Sequence, residues 1–148
     1  MNGYVNQYLT NTVKSASPEQ LMLMLYDGAI KFVALGIQAI ENGVIDKRAY
    51  YINKTSAIIS EFAATLDHSV NPKLAEDLDA LYRYMLKRLL DASLANDTAP
   101  LIEVKKMLSE LRATWAQAID IKKQEIREKA GVAPSTSDTD YKPLAVAM

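Results

Sequence analysis

The stretch Ser17 to Asn42, SPEQLMLMLYDGAIKFVALGIQAIEN, constrains the fold more than any other part of the chain. Ser17, Pro18 and Gln20 supply an N-cap, the preferred first-turn proline and a capping-box partner. Asn42-Gly43 supplies the stop, so the first helix is expected over about residues 18 to 42. At about 100° per residue, Leu21, Leu25, Phe32, Leu35, Gly36 and Ala39 fall on one arc, read as the core seam. Gln20, Asp27, Lys31 and Gln38 fall opposite as the wet face. A second apolar stripe, Met22, Tyr26, Ile30, Val33, Ile37 and Ile40, lies on one flank. Apolar residues thus cover roughly two-thirds of the circumference, against the ~100° of an ordinary surface helix.

Similar signals repeat along the chain. Asp46 is placed to cap a second helix with the stripe Ala49, Ile52, Ser56, Ile59, Phe62, Ala63 and Leu66, ending near His68. Asn71 and Pro72 open a third, with Leu74, Leu78, Leu81, Met85, Leu89 and Ala92 at helical spacing. Thr98 and Pro100 open a fourth, whose seam of Leu101, Val104, Leu108, Leu111, Trp115, Ile119 and Ile126 ends near Lys129 to Gly131. Alternating Val/Ile/Thr runs are scarce. The class is all-α, and short loops between helices of similar length favour an antiparallel up-down four-helix bundle over a three-helix core with an outlying fourth.

At 148 residues the chain supports one core. The expected organisation is an N-terminal arm over 1–16, a bundle over 17–130 and a disordered C-terminal tail over 131–148. The tail is rich in Pro, Ser, Thr and Asp and lacks helical period. Seventeen basic against 18 acidic residues leave no cationic stripe, so no nucleic-acid partner is expected. The absence of cysteine suits a reducing cytoplasm. Asp27 and Lys31 interrupt the longest apolar run and no cleavable leader opens the chain, so neither membrane insertion nor export is expected.

Catalytic signatures are missing. A di-iron bundle needs paired Glu-x-x-His motifs, whereas His68 is the single histidine and no Glu precedes it by three. No phosphate-binding glycine loop exists, and Glu76, Asp77 and Asp79 read as solvated, dipole-stabilising charge. No enzyme activity, metal or cofactor is expected, and function is sought in surfaces.

Tyr and Met suit a surface that awaits a partner, since Tyr keeps its hydroxyl wet and Met adapts to irregular shapes. Gly28 and Gly36 would admit a second backbone. Tyr82, Tyr84, Leu86 and Leu90 form a comparable set on the third helix. Two readings follow: a groove for a partner segment, covered meanwhile by the Tyr4/Tyr8 arm, or a homodimeric helical adaptor in which a second copy fills the same stripe.

The paired tyrosines of the arm, SPEQLMLMLYDGAIKF in the first helix, LYRYM in the third and ELRATWAQA in the fourth resemble the flagellar secretion chaperone FliS family over about residues 1 to 125. The tail and the Asn-Pro of the SVNPK turn depart from that pattern. The resemblance implies a cytoplasmic four-helix bundle that binds the disordered C-terminal segment of flagellin on apolar grooves, prevents its premature polymerisation and supports type III export. It implies Met22, Tyr26, Ile30, Val33, Ile37, Tyr82, Met85 and Leu86 as partner-binding residues, with Tyr4 and Tyr8 as the competing arm. The export gate and a co-chaperone or regulator are further implied partners. Asp27 either caps a partner or only solvates its helix, the solvating role being the favoured one, and Trp115 is read as core.

Overall fold

The computed structural model describes residues 11 and 14–131. The expectations for Tyr4, Tyr8 and residues 132–148 lie outside them, while Lys14 and Ser15, placed in the arm, are helical. Four long helices follow: α1 (Pro18–Glu41), α2 (Ile45–Ala64), α3 (Pro72–Ala95) and α4 (Ala99–Ala130). Each packs on its chain neighbours and α4 closes back on α1. This is the expected all-α four-helix bundle.

The caps explain most boundaries. Ser17 Oγ accepts from Gln20 N at 3.2 Å while Gln20 Oε1 accepts from Ser17 N at 2.9 Å, satisfying two orphan donors of α1. Asn71 Oδ1 accepts from Leu74 N, with Pro72 following as expected. Asn96 takes the left-handed conformation to end α3, and Gly131, at φ 65°, does the same for α4. Two expectations need correction. The N-cap position of α2 is Val44 rather than Asp46 and makes no side-chain cap bond. The same helix stops at Ala64, short of His68, because Asp67 Oδ1 accepts from Ser69 N and diverts the backbone into a turn.

The buried positions share one arithmetic. They are Glu19, Met22, Tyr26, Ala29, Val33, Gly36 and Ala39 on α1, Ile52, Thr55, Ile59, Phe62 and Leu66 from α2 into its following turn, and Ala75, Leu78, Tyr82, Met85, Leu89 and Ala92 on α3. All but Ala39, three residues beyond Gly36, run at alternating three- and four-residue spacing, the seam of a coiled-coil-like bundle with shallow crossings. On α4, Leu101, Val104, Leu108 and Trp115 keep the same spacing.

The seam expected on α1 is therefore corrected. Leu21, Leu25, Phe32 and Leu35 are only partly buried, whereas Gly36 and Ala39 of the same arc are buried as expected, and Phe32 stacks at 6.2 Å on Tyr51 of α2. Because α1 serves two neighbours, it is apolar on both flanks, and the flank richest in Leu is not the one facing the core. Length and composition alone would let α1 cross a membrane, but its apolar arc is used against α2 and α4.

Gly36 is closely surrounded, since a Cβ there would lie 3.4 Å from Leu101 Cδ1 and 3.7 Å from Tyr51 Cβ. Gly28 is not. A Cβ would meet only Ile58 Cδ1 at 3.8 Å, an ordinary contact. Gly28→Ala is expected to stabilise the fold by about 0.5–1 kcal/mol through helix propensity, read as a higher urea midpoint with unchanged slope.

Candidate functional site

The residues singled out from sequence separate into two groups. Met22, Tyr26, Val33, Tyr82 and Met85 are between 0% and 3% exposed. They are core side chains in this conformation, a correction to their expected place on an open groove. Ile30, Ile37 and Leu86 are half-buried and pack at the edge of that core.

The buried group contains a polar network. Trp115 Nε1 donates to Tyr26 Oη at 3.1 Å, and Tyr26 Oη shares a hydrogen bond with Tyr82 Oη at 2.7 Å. Phe62 stacks on Tyr26 with ring centroids 4.4 Å apart and tilts against Tyr82 at 5.6 Å. One cluster thereby joins all four helices, and the role expected for Trp115 holds. A buried hydroxyl without a partner would cost about 1–3 kcal/mol; the network removes that cost, which is how two tyrosines enter the core.

Burial raises the pKa of both tyrosines above the ordinary value of 10.0. The folded-state value exceeds the unfolded one, so this contribution is complete below about pH 10 and is lost as pH rises further. Stability is expected to fall above pH 10 by ~1.4 kcal/mol per pH unit for each buried tyrosine. Tyrosinate absorbance should show Tyr26 and Tyr82 ionising with the unfolding transition rather than before it.

The accessible surface lies along the α1/α4 seam. Ser15, Ala16, Gln20, Leu23, Met24, Asp27 and Arg112 line an open groove of about 380 Å³. At its edge Arg112 grips Asp27 with both arms of the guanidinium, Nε to Oδ1 at 2.9 Å and Nη2 to Oδ2 at 3.3 Å. Asp27 has a specific partner within the bundle, beyond the solvating role read from sequence. Leu23, Ile30 and Ile37 recur every seven residues, so the stripe that starts in the groove continues along α1. Sequence reasoning had given no role to Leu23, Met24 or Arg112, although the heptad through Ile30 and Ile37 points back to Leu23. It also missed Glu19, which lies on the seam of Met22 and Tyr26 and is buried with neither carboxylate oxygen hydrogen-bonded among the described residues.

Between α3 and α4, Tyr84 Oη and Arg88 Nε both donate to the Glu103 carboxylate, at 2.9 and 2.6 Å. Arg88, followed by Tyr84, holds that carboxyl below its ordinary pKa. Asp77 and Asp79 pair with Lys73 and Arg83 one turn away. No group of three or more metal-ligating side chains occurs among the described residues.

A family model described as "Flagellar protein FliS" matches residues 1–123. The flagellar secretion chaperone FliS of Bacillus subtilis (strain 168) is 36% identical over 126 residues, covering 85% of this chain and 93% of the relative. The protein of that name from Salmonella typhimurium is 34% identical over 118 residues, covering 79% and 87%. Flagellar secretion chaperone FliSB of Pseudomonas aeruginosa is 33% identical over 115 residues, covering 78% and 91%.

Proposed function

The chain belongs to the FliS family of flagellar secretion chaperones, and from that membership we propose that it is a non-enzymatic cytoplasmic chaperone for the C-terminal segment of flagellin. Holding that segment keeps flagellin from polymerising before type III export, and delivery involves the export gate, with a co-chaperone or regulator as a further partner. The observation that carries this reading is 36% identity along nearly the whole length of a flagellar secretion chaperone. The surface supports it. Met24 and the stripe Leu23, Ile30 and Ile37 offer apolar area beside an ion pair, and Leu81 and Leu90 are exposed on α3 near half-buried Leu86. A disordered client that wraps the bundle suits apolar side chains spread over several helices, since such segments use much area per residue.

Within this reading Ile30, Ile37 and Leu86 touch the client directly. Met22, Tyr26, Val33, Tyr82 and Met85 act from beneath by setting the shape of the surface, and Tyr4 and Tyr8 belong to the arm that competes for it. Calorimetric titration with the C-terminal segment of flagellin from the same organism tests the proposal. One-to-one binding with a large negative heat-capacity change is expected for burial of apolar area; a folded chain that gives no heat and no complex overturns it.

A further inference from the structure

Among the described residues Glu19 is the only ionisable acid or base that is buried, at 2% exposed. Neither of its carboxyl oxygens is open to solvent, and no described donor, Lys122 and Lys123 of α4 included, hydrogen-bonds to either. The first turn of α1 tolerates the group in part, because a carboxylate there faces the positive end of the helix dipole. The dipole does not replace a donor. A buried carboxyl without one keeps its full desolvation cost, larger when it is charged.

Glu19 stands at the wall between the core and the α1/α4 groove. On one side it continues the seam of Met22 and Tyr26. On the other, Gln20 follows it and Leu23 lies one helical turn along the same side of α1; both line the groove. Glutamate has several side-chain torsions, so a change of rotamer carries the carboxyl toward the groove while the helix stays in place. Charge points the same way. Asp27 and Arg112 are already matched to each other, and the other residues lining the groove are uncharged. Counting Glu19, this wall of the groove holds one negative charge that its own lining does not match. A segment seated there satisfies the carboxyl only by bringing a donor, and a cationic side chain supplies opposite charge together with the hydrogen bond.

We propose that Glu19 is the specificity-determining acceptor of the α1/α4 groove, paired in the complex with a lysine or arginine side chain of the bound segment while apolar neighbours of that side chain cover Leu23 and Met24. The inference rests on the flagellin reading for the identity of the segment and adds the chemistry by which the groove selects it. The free chain bears the cost of an unpaired buried carboxyl, and binding removes that cost.

Calorimetry of the full chain tests this, using the flagellin C-terminal segment and versions of it in which each Lys or Arg is changed in turn to Gln. Glu19→Gln should weaken binding of the unaltered segment about tenfold, because an amide accepts a hydrogen bond but carries no charge. Against the version that lacks the paired cation, Glu19→Gln should change nothing, which is the coupling a double-mutant cycle isolates. Glu19→Leu should weaken binding at least as much and raise the urea midpoint, since an apolar side chain removes the unpaired carboxyl from the core. Equal losses with every version of the segment would overturn the proposal and leave the flagellin reading standing. So would a Glu19→Gln chain that binds like the parent while Glu19→Leu does not, which would assign a main-chain N–H as the donor. A lower midpoint for Glu19→Leu would show the carboxyl to be already satisfied within the bundle and would overturn it as well. A parent chain that binds no version of the segment removes the flagellin reading, and this inference with it.

Discussion

Tyr26→Ala is expected to remove most of the stability of this protein. The side chain is fully buried, and truncating a buried aromatic costs about 3–5 kcal/mol through lost transfer energy and the cavity left behind. The change also strands Trp115 Nε1, whose acceptor is the Tyr26 hydroxyl, at about 1–3 kcal/mol more. Against a total of about 5–15 kcal/mol for a single domain, the variant should be largely unfolded at 37 °C or melt far below the parent. Urea unfolding followed by circular dichroism and Trp115 fluorescence measures this directly. Tyr26→Phe separates the two contributions. It keeps the ring against Phe62 but leaves the indole donor unpaired, so the loss should be only about 1–3 kcal/mol. A Tyr26→Ala protein that melted normally would place this residue on a surface after all and undo the assignment of the core.

Leu23→Gln combined with Ile30→Gln should weaken binding of the flagellin C-terminal segment by about a hundredfold, or about 2.7 kcal/mol, while leaving the bundle folded. Both side chains are half-buried, and Leu23 lines the groove at the α1/α4 seam. Replacing apolar by polar tips there removes area that a client would cover, at a stability cost of about 1–2 kcal/mol because each stem still packs on the edge of the core. The contrast with Tyr26 is the useful part. One substitution should destroy the fold, while the pair on the neighbouring flank of the same helix should destroy binding. Calorimetry of the variant against the parent, with melting measured in parallel, decides it. Unchanged affinity would move the client to another face, such as the exposed apolar residues of α3.

The Asp27–Arg112 pair supplies an internal control. Its side chains are 55% and 36% exposed, so the pair is screened and contributes little to stability. A large loss of client affinity on Asp27→Asn would then report on the groove rather than on folding.

Much of the fold is legible in the sequence because its signals are local. Ser17 with Gln20, Asn71 with Pro72, and Gly131 each act within one helical turn, and a chain needs nothing distant to read them. The same locality explains the misreading at the second helix. Asp46 is chemically able to cap, but the turn through Gly43 places Val44 at the boundary, and Asp67 turns the chain out early.

The candidate site was harder to read for a related reason. Apolar side chains flank α1 on both sides, so hydropathy assigns its inward face ambiguously. Leu looks more buried than Tyr, Ala or Gly until packing is considered. The heptad through Glu19, Met22, Tyr26, Ala29, Val33 and Gly36 was present in the sequence, but it includes a carboxylate and a phenol that hydrophobicity alone would place outside.

From local chemistry, the sequence by itself determined an all-α chain, its four helices and most of their ends, while the family came from the likeness of its motifs to known sequences. Only the tertiary structure decided which flank of α1 faces inward. The partners that make Tyr26 acceptable in the core, Tyr82 and Trp115, lie 56 and 89 residues away. A hydrogen bond across that separation exists only once four helices have closed around it, so no local pattern could have announced it.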